Sequence, residues 1–289
     1  MKILIIGNGF LATSLIKRLE SEGHEILIFS RTQNTRIENR QVLGDIFDFI
    51  EFRKVLDWKP QVIIHTAWIT TPGVYRNDSS NLQYADFTIN LAKAVANSDT
   101  EHLIILGTCA EYGRQGGPST AGLTMPSPTS LYSQQKVLAF NSSKELLHSS
   151  NVRFTWTRIF YPYGPNQDQK RLIPQLIHSL KNGEPIVLAD TSSIHDWITT
   201  RDIASAISWA INNQLSMEID VGTSIGFTNL ELLKALEKLL QSTNQLPARQ
   251  FHEFGNNEVF VAGKTSPLFT SGWSPTDSLI AGLEWVLGQ

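Results

Sequence analysis

Cysteine, excess charge of either sign and long apolar runs are all scarce in this chain. Its 289 residues contain one cysteine, Cys109, so no internal disulfide can form and we expect a reducing, cytoplasmic location. The net charge of −3 lacks the basic excess of nucleic-acid-binding domains. No apolar run approaches the length of a membrane span, and the seven histidines lack metal-ligand spacing. The sequence therefore predicts no nucleic-acid, membrane or metal partner.

Short apolar segments alternate with amphipathic segments of helical length in the first half of the chain. The segments rich in Ile, Val and Leu predict strands at Lys2–Ile6, Glu25–Ser30, Gln41–Leu43, Gln61–His65, His102–Leu106 and Arg153–Arg158. The amphipathic segments predict helices at Leu11–Glu22, Phe47–Leu56, Leu82–Ala96 and Tyr132–Leu147. This alternation predicts an α/β fold with a Rossmann-like, doubly wound parallel sheet.

The rhythm of the sequence changes after Pro162. Helices are predicted at Leu172–Leu180, Thr200–Asn212, Asn229–Leu240 and Asp277–Leu287, and short strands at Ile186–Leu188, Ile194–Ile198 and Glu218–Val221. We therefore expect a dinucleotide-binding domain over residues 1–161 and a smaller, irregular α/β substrate region over 162–289, from which some segments could return to the sheet. No long linker separates the two, so a cleft between them is the expected ligand site.

A glycine-rich turn follows the first predicted strand. Gly7-Asn8-Gly9-Phe10-Leu11-Ala12 has the spacing G-x-G-x-x-A and leads into a helix. The first glycine permits the turn, the second lets the backbone approach a pyrophosphate, and the small third residue lets helix and strand pack closely. The alternative is a turn that merely connects strand to helix. In this context the pattern favours a dinucleotide site.

The end of the second predicted strand bears on the choice of dinucleotide. An NAD site usually has Asp or Glu here to bind the ribose 2′-hydroxyl, and this chain has Ser30-Arg31. A guanidinium suits a 2′-phosphate, so NADP(H) is favoured while NAD(H) stays open. The alternative is that Arg31 is a solvated loop residue.

Tyr132 and Lys136 are four residues apart on a predicted helix and therefore share one face. An ammonium beside a phenol is expected to lower the pKa of the phenol, which suits proton transfer near neutral pH. Tyr-x-x-x-Lys is common by chance, so the pair carries weight only together with other motifs.

Further motifs agree with this pair in order and spacing along the whole chain. They are Gly44-Asp45-Ile46, His65-Thr66-Ala67, the segment from Gly107 through Thr108 to Gly113, the segment from Arg158 through Phe160 to Pro165, Asp196-Trp197-Ile198 through Asp202, Val221-Gly222-Thr223 and Gly272-Trp273-Ser274-Pro275. Together they resemble the extended short-chain dehydrogenase/reductase family, in its nucleotide-sugar epimerase/dehydratase branch.

The resemblance implies a role for each matching residue. Thr108, Tyr132 and Lys136 would be catalytic, and Lys136 would also hold the nicotinamide ribose. The cofactor would be bound by the residues of the glycine-rich turn and of the strand ends, namely Gly7, Gly9, Phe10, Leu11, Ala12, Ser30, Arg31, Asp45, Ile46, Ala67, Lys136 and Phe160.

Three departures from the family pattern affect the expected activity. The glycine motif is one residue short of the usual spacing. His195 stands where an arginine often contacts the substrate phosphate, so Arg171 is a candidate to supply that charge. Cys109 and Ala110 stand where dehydratases carry carboxylates, and Glu111 would point the other way in an extended segment. A dehydratase is therefore disfavoured.

These observations favour an NADP(H)-dependent reductase of a keto group on a nucleoside-diphosphate sugar, by resemblance a 4-keto-6-deoxyhexose. Tyr132 would donate the proton and Thr108 would hydrogen-bond the reacting oxygen. The alternative is a nucleotide-sugar 4-epimerase with retained NAD. A third candidate, a non-enzymatic NADP-binding protein, would not need a tuned phenol.

The predicted helix around Tyr132 also bears on assembly. Ala139 and Ser143 continue the face of Tyr132 with small side chains, and elsewhere on the helix lies an apolar stripe of Leu131, Leu138 and Leu146. The family often pairs this helix across a two-fold axis, so we expect a homodimer. The alternative is that the stripe packs on the sheet.

Overall fold

A parallel sheet of seven strands organises the chain in this computed structural model, which describes residues 1–35, 40–240, 249–252 and 258–288. The strands are β1 Lys2–Ile6, β2 Glu25–Ser30, β3 Arg40–Leu43, β4 Val62–His65, β5 His102–Thr108, β6 Arg153–Ile159, β7 Tyr161–Tyr163, β8 Ile186–Ala189, β9 Ile194–His195, β10 Trp197–Thr199, β11 Glu218–Val221, β12 Phe227–Thr228, β13 Arg249–His252 and β14 Val259–Phe260.

Helices cover both faces of this sheet. In chain order, the helices of the described residues, including those outside the sheet, are α1 Phe10–Ser21, α2 Phe49–Arg53, α3 Ser80–Val95, α4 Leu131–Leu147, α5 Leu172–Asn182, α6 Thr200–Asn212, α7 Asn229–Leu239, α8 Pro267–Thr270 and α9 Leu279–Leu287. The strand order is β11-β6-β5-β4-β1-β2-β3, and every pair is parallel. The predicted fold class, a doubly wound α/β sheet, is confirmed.

The strands are apolar because both of their faces are covered. Ile3, Leu4, Ile5 and Ile6 of β1 are fully buried, with alternate residues in opposite layers. Ile3 and Ile5 pack in the layer that holds α1 and α6, while Leu4 and Ile6 pack in the layer that holds α3 and α4. A near-continuous run of Ile and Leu is what a strand buried on both sides requires.

Two predicted elements differ in the structure. The predicted helix Phe47–Leu56 is a short helix, α2, followed by a 3-10 turn at Lys54–Trp58. The predicted strand Ile194–Ile198 is interrupted at Asp196 and forms β9 and β10. The Asp196 side chain is buried and accepts hydrogen bonds from the backbone N–H groups of Thr223, Ser224 and Ala262. Meeting these donors breaks the strand in two.

Segments from the second half of the chain return to the large sheet. Strand β11 pairs with β6 at the sheet edge, and α6 packs beside α1, where Ser14 Oγ lies 2.8 Å from Thr200 Oγ1. Helices α5, α7 and α9 instead share a separate core with β8 and β10. The predicted domain division at 161/162 stays a prediction, and the sheet itself contains residues from both sides of it.

Candidate active site

The carboxyl ends of the parallel strands bring most of the predicted site residues to one edge of the sheet. Strand β1 ends before Gly7, β4 before Ala67, β5 at Thr108 and β6 before Phe160. This edge is where ligands bind in open parallel sheets, because loops leaving neighbouring strands diverge there and form a crevice.

The turn between β1 and α1 is shaped by its glycines. Gly7 has φ +104°, and a Cβ there would lie 2.6 Å from Thr66 Oγ1 and 3.0 Å from the Ala67 nitrogen. Gly9 precedes α1 with ordinary backbone angles, and a Cβ there would meet nothing within 4 Å. No side chain caps the amino terminus of α1. The first turn therefore presents backbone N–H groups to open space, which fits the pyrophosphate of a dinucleotide.

The small third residue of the motif, Ala12, is fully buried between α1 and the sheet. Phe10 and Leu11 are half-buried, and Leu11 packs against the same core. The Ala67 N–H donates to the Ile6 carbonyl at 3.0 Å, which draws the β4 turn against the glycine turn. Both turns therefore lie together where the resemblance places a dinucleotide.

The second strand ends in a buried hydroxyl and an exposed guanidinium. Ser30 Oγ donates to the Thr32 carbonyl at 2.9 Å. Arg31 Nη2 lies 3.4 Å from the Tyr84 hydroxyl, and no carboxylate of the described residues lies within ion-pair distance of it. Asp45 is exposed and accepts the Phe47 N–H, whereas Ile46 is buried. A cation, Arg31, thus stands at the rim of the groove. Position 30 is a serine and does not carry the acid that an NAD site usually has there.

Thr108 and Tyr132 meet at the end of β5. Tyr132 lies in the first turn of α4, which is capped by Ser130 because its Oγ accepts the Ser133 N–H at 3.2 Å. Burial raises the pKa of Tyr132 well above its ordinary value, and interaction with the side chain of Thr108 opposes the shift. This direction is opposite to the lowering that the sequence pattern predicts. Tyr132 is therefore a protonated phenol at neutral pH.

Lys136 lies one helical turn after Tyr132 and is buried. Its Nζ donates to the Leu106 carbonyl at 2.5 Å and lies 3.8 Å from the centre of the Trp68 ring. Burial lowers the pKa of Lys136, and the carboxylate of Glu111 opposes that shift. The lysine thus contacts a carbonyl and an aromatic face.

Glu111 lies in a 3-10 turn, Cys109–Tyr112, rather than in an extended segment. The premise of the prediction, an extended segment, is therefore wrong. In the turn, the Glu111 side chain enters a buried cluster with Thr108, Trp156 and Arg158. Neither Cys109 nor Ala110 adds a carboxylate beside Tyr132.

A cleft of about 270 Å³ opens beside Tyr132. Its walls are formed by residues from several loops, namely Tyr75, Arg76, Cys109, Ala110, Gly113, Arg114, Thr129, Ser130, Tyr132, Ser133, Tyr161, Asp190, His195, Glu258 and Phe260. A larger cavity of about 470 Å³, lined by residues such as Arg53, Lys59 and Asp99, lies at the opposite edge of the sheet, away from the glycine turn and Tyr132. We take the smaller cleft as the substrate site because it contains the acid.

The two predicted substrate residues differ in position. His195 lines the cleft, stacked on Phe260, and burial lowers its pKa to about 4, so it is uncharged at neutral pH. Arg171 does not line the cleft. It lies against the Tyr75 ring, and its Nη2 donates to the Thr70 carbonyl at 2.5 Å. Phe160 is buried with Cys109 and Tyr112 below the cleft.

Sequence reasoning did not single out Arg76, Tyr161 or Glu258. Arg114 is ion-paired with Glu258 at 2.8 Å, whereas Arg76 has no carboxylate of the described residues within ion-pair distance. Arg76 interacts instead with Tyr75 and, at longer range, with Tyr161 and Glu258. Tyr161 lies in the motif from Arg158 to Pro165, but nothing in that motif marks it as a cleft residue. Arg76 and Glu258 lie in no motif, and only tertiary contacts could identify them.

Within the described ranges, no group of three or more His, Cys, Asp or Glu residues is placed to hold a metal ion. Every helix in the same ranges is too short or too polar to cross a membrane.

Comparison with known proteins gives the family. The UDP-glucose 4-epimerase of Lactobacillus helveticus is 22% identical over 308 residues, covering 95% of this chain and 92% of that protein. The crystal structure of UDP-glucose 4-epimerase from Thermotoga maritima with UDP-glucose has a TM-score of 0.86 at 18% identity, over 100% of this chain and 98% of that one. The dTDP-glucose 4,6-dehydratase of Bacillus anthracis in complex with NAD has a TM-score of 0.85 at 22% identity, over 100% and 96%.

The family model described as "NAD dependent epimerase/dehydratase family" matches residues 3–222. This match covers the glycine turn, Thr108, Tyr132, Lys136 and strand β11, and it confirms the resemblance found in the sequence. The chain belongs to the NAD dependent epimerase/dehydratase family.

Proposed function

We propose that this chain is a nucleotide-sugar 4-epimerase with a tightly held nicotinamide dinucleotide. The sequence taken alone favours a reductase, and the relatives favour the alternative, since similar proteins over nearly the whole length are UDP-glucose 4-epimerases. The observation that carries the proposal is the position of Tyr132 with Thr108, between the open amino terminus of α1 and a cleft able to hold a sugar.

The dinucleotide would be held by Gly7, Gly9 and the first turn of α1, with its nicotinamide end toward Tyr132. When bound it would supply a reversible hydride acceptor. Tyr132 would take the proton of the sugar hydroxyl when it is in its phenolate form, and would return that proton to the same oxygen when the keto group is reduced again. Thr108 hydrogen-bonds the same oxygen as its charge develops.

The cleft supports a sugar joined to an anion. Tyr161, His195 and Phe260 form an aromatic wall, with Tyr161 and His195 ring centroids 4.3 Å apart. Such rings pack against the apolar face of a sugar. Because His195 is neutral and Arg171 lies outside the cleft, we assign the contact with the substrate phosphate to Arg76.

A second candidate is the reductase that the sequence favours, using NADPH and a keto sugar linked to a nucleotide. The observation in its favour is the pair Ser30 and Arg31, where an exposed guanidinium replaces the acid that would bind a 2′-hydroxyl. The solved structure of the similar dehydratase contains NAD, so this choice of cofactor stays a proposal. The single cysteine supports a cytoplasmic location for either enzyme.

Purification without added cofactor separates the two candidates. The epimerase should retain dinucleotide through gel filtration, identified by mass, and should interconvert UDP-glucose and UDP-galactose with nothing added. Protein that emerges free of dinucleotide, is inactive on UDP-glucose and oxidises NADPH with a 4-keto-6-deoxy sugar nucleotide would instead establish the reductase. Absence of both activities would contradict the proposed chemistry.

A further inference from the structure

Glu111 is the most deeply buried acid next to the candidate catalytic residues, and its carboxylate has three donors. Oε1 accepts the Thr108 N–H at 2.9 Å, Oε2 accepts Arg158 Nε at 2.7 Å, and Trp156 Nε1 lies 3.0 and 3.1 Å from the two oxygens. Both Glu111 and Arg158 are fully buried. The carboxylate therefore touches the backbone of the residue that hydrogen-bonds the reacting oxygen.

The need to neutralise Arg158 does not by itself explain why the Glu111 carboxylate is buried here. Arg158 Nη1 also lies 2.6 Å from Glu218 Oε2, so the guanidinium already has one carboxylate from β11. Glu218 is partly exposed and also lies 3.7 Å from Lys144 Nζ, whereas Glu111 is fully buried on the side of Trp156. Lys136 is the buried cation across from it, within 5.9 Å of the Trp156 ring that Glu111 binds.

The direct contacts of the Lys136 ammonium include no negative charge. Its Nζ meets the Leu106 carbonyl and the faces of Trp68 and Trp156, and no carboxylate of the described residues lies within ion-pair distance of it. The charged and titratable groups around it are His65 on β4, Tyr132 on its own helix, Glu111 in the 3-10 turn and Arg158 behind Glu111. Of these, only Glu111 favours the ammonium form.

We propose that Glu111 is a positioning residue, which fixes Thr108 through its backbone N–H and places a buried carboxylate across the Trp156 ring from the Lys136 ammonium. The inference rests on the proposed function for the roles of Thr108 and Lys136. Glu111 acts through these two residues, since its carboxylate lies beneath the site and does not line the cleft.

The matched pair Glu111→Gln and Glu218→Gln tests the proposal. Each variant removes one carboxylate from Arg158, but only Glu111 also contacts Thr108 and influences Lys136. The titration of Lys136 is followed by NMR of protein carrying ¹³C-labelled lysine, with Lys136→Met assigning the signal. Glu111→Gln should lower the titration midpoint by about one pH unit, a tenfold change in the protonation equilibrium, and Glu218→Gln should leave it nearly unchanged.

The NMR readout does not depend on any enzymatic activity, so failure of the proposed function is told apart from failure of this inference. An unchanged Lys136 midpoint in Glu111→Gln, or equal shifts in both variants, would overturn it. If Glu111→Gln does not fold, Glu111→Asp carries the test because it keeps the charge and shortens the reach to Thr108. Glu111→Asp should keep the Lys136 titration midpoint close to that of wild type while slowing turnover. A midpoint lowered in Glu111→Asp would contradict the proposal.

Discussion

At the scale of single residues, Tyr132 is the group on which the chemistry depends. Its ring is packed edge-on against Tyr75 at 5.0 Å and against Trp68 at 6.3 Å, so its hydroxyl is held in one place beside Thr108. Burial also raises the pKa of Tyr132, so the free protein holds this phenol in its protonated form.

Tyr132→Phe should therefore lower turnover by about 10²–10⁴, the usual contribution of a positioned acid, and leave dinucleotide binding intact. Removing one hydroxyl changes the packing little. Single-turnover kinetics with bound dinucleotide measure the effect. Tyr75→Phe is the control, since it removes a neighbouring phenol from the same cleft wall. A Tyr132→Phe rate within about threefold of wild type would rule out Tyr132 as the acid.

The same scale shows where local patterns suffice and where they do not. The spacing of Tyr132 and Lys136 could be read from the sequence because helix geometry places residues four apart on one face. The environment of Lys136 could not, since Trp68 reaches it from the loop after β4 and Leu106 reaches it from β5. Burial therefore reversed the expected direction of the Tyr132 pKa.

At the scale of elements, the β1–α1 turn separates two roles of glycine. Gly7 needs its positive φ and the space beside Thr66, whereas Gly9 has neither constraint from the protein itself. We therefore expect a substitution at Gly9 to affect a bound ligand more than the fold.

Gly9→Ala should cost at most about 1 kcal/mol of unfolding free energy and weaken dinucleotide binding at least tenfold, because one lost charged hydrogen bond is worth about 1.5–3 kcal/mol. Gly7→Ala should also destabilise the fold, by about 1–3 kcal/mol or more for the strained backbone. Chemical denaturation and dinucleotide titration measure the two effects. Normal binding by Gly9→Ala would place the pyrophosphate elsewhere.

At the scale of the whole molecule, α3 and α4 leave apolar side chains on the surface. Leu82 on α3 and Leu138 and Leu146 on α4 are exposed, while Ala139 and Ser143 of α4 are buried. The apolar stripe therefore lies only partly against this chain's own core, and a second copy would cover the rest.

A homodimer through α3 and α4 is therefore expected, measured by sedimentation at micromolar concentration. Leu138→Glu should shift the protein toward monomer without unfolding it, since a buried charge at an interface is costly. Leu123→Glu, at an exposed leucine in the loop before α4, should leave the dimer intact. A wild-type monomer under these conditions would refute the prediction.

Buried histidines link stability to pH. His102 is buried, lies 2.8 Å from Thr155 Oγ1, and burial lowers its pKa to about 4. The unfolded chain binds its proton near pH 6.5 and the folded chain only near pH 4. The contribution of neutral His102 is thus fully present above pH 6.5 and lost as the pH falls toward 4.

The stability advantage of wild type over His102→Gln should accordingly shrink by up to about 1.4 kcal/mol per pH unit between pH ~6.5 and ~4. Denaturant unfolding at a series of pH values measures it. A pH-independent difference for His102→Gln would show that the pKa of His102 is the same in the folded and the unfolded chain, which would contradict the prediction.

The sequence by itself determined the parallel α/β fold, the glycine turn and the shared helix face of Tyr132 and Lys136, because periodicity, turn chemistry and helical spacing act over a few residues. Thr108 was predicted only through the resemblance to the family. Tertiary structure alone decided the rest. It placed β11 at the sheet edge and put Arg76 in the cleft. It also joined Glu111 to Arg158, 47 residues apart, beneath Thr108. Such pairings depend on which strands become neighbours, and burial then sets the charge of each group they bring together.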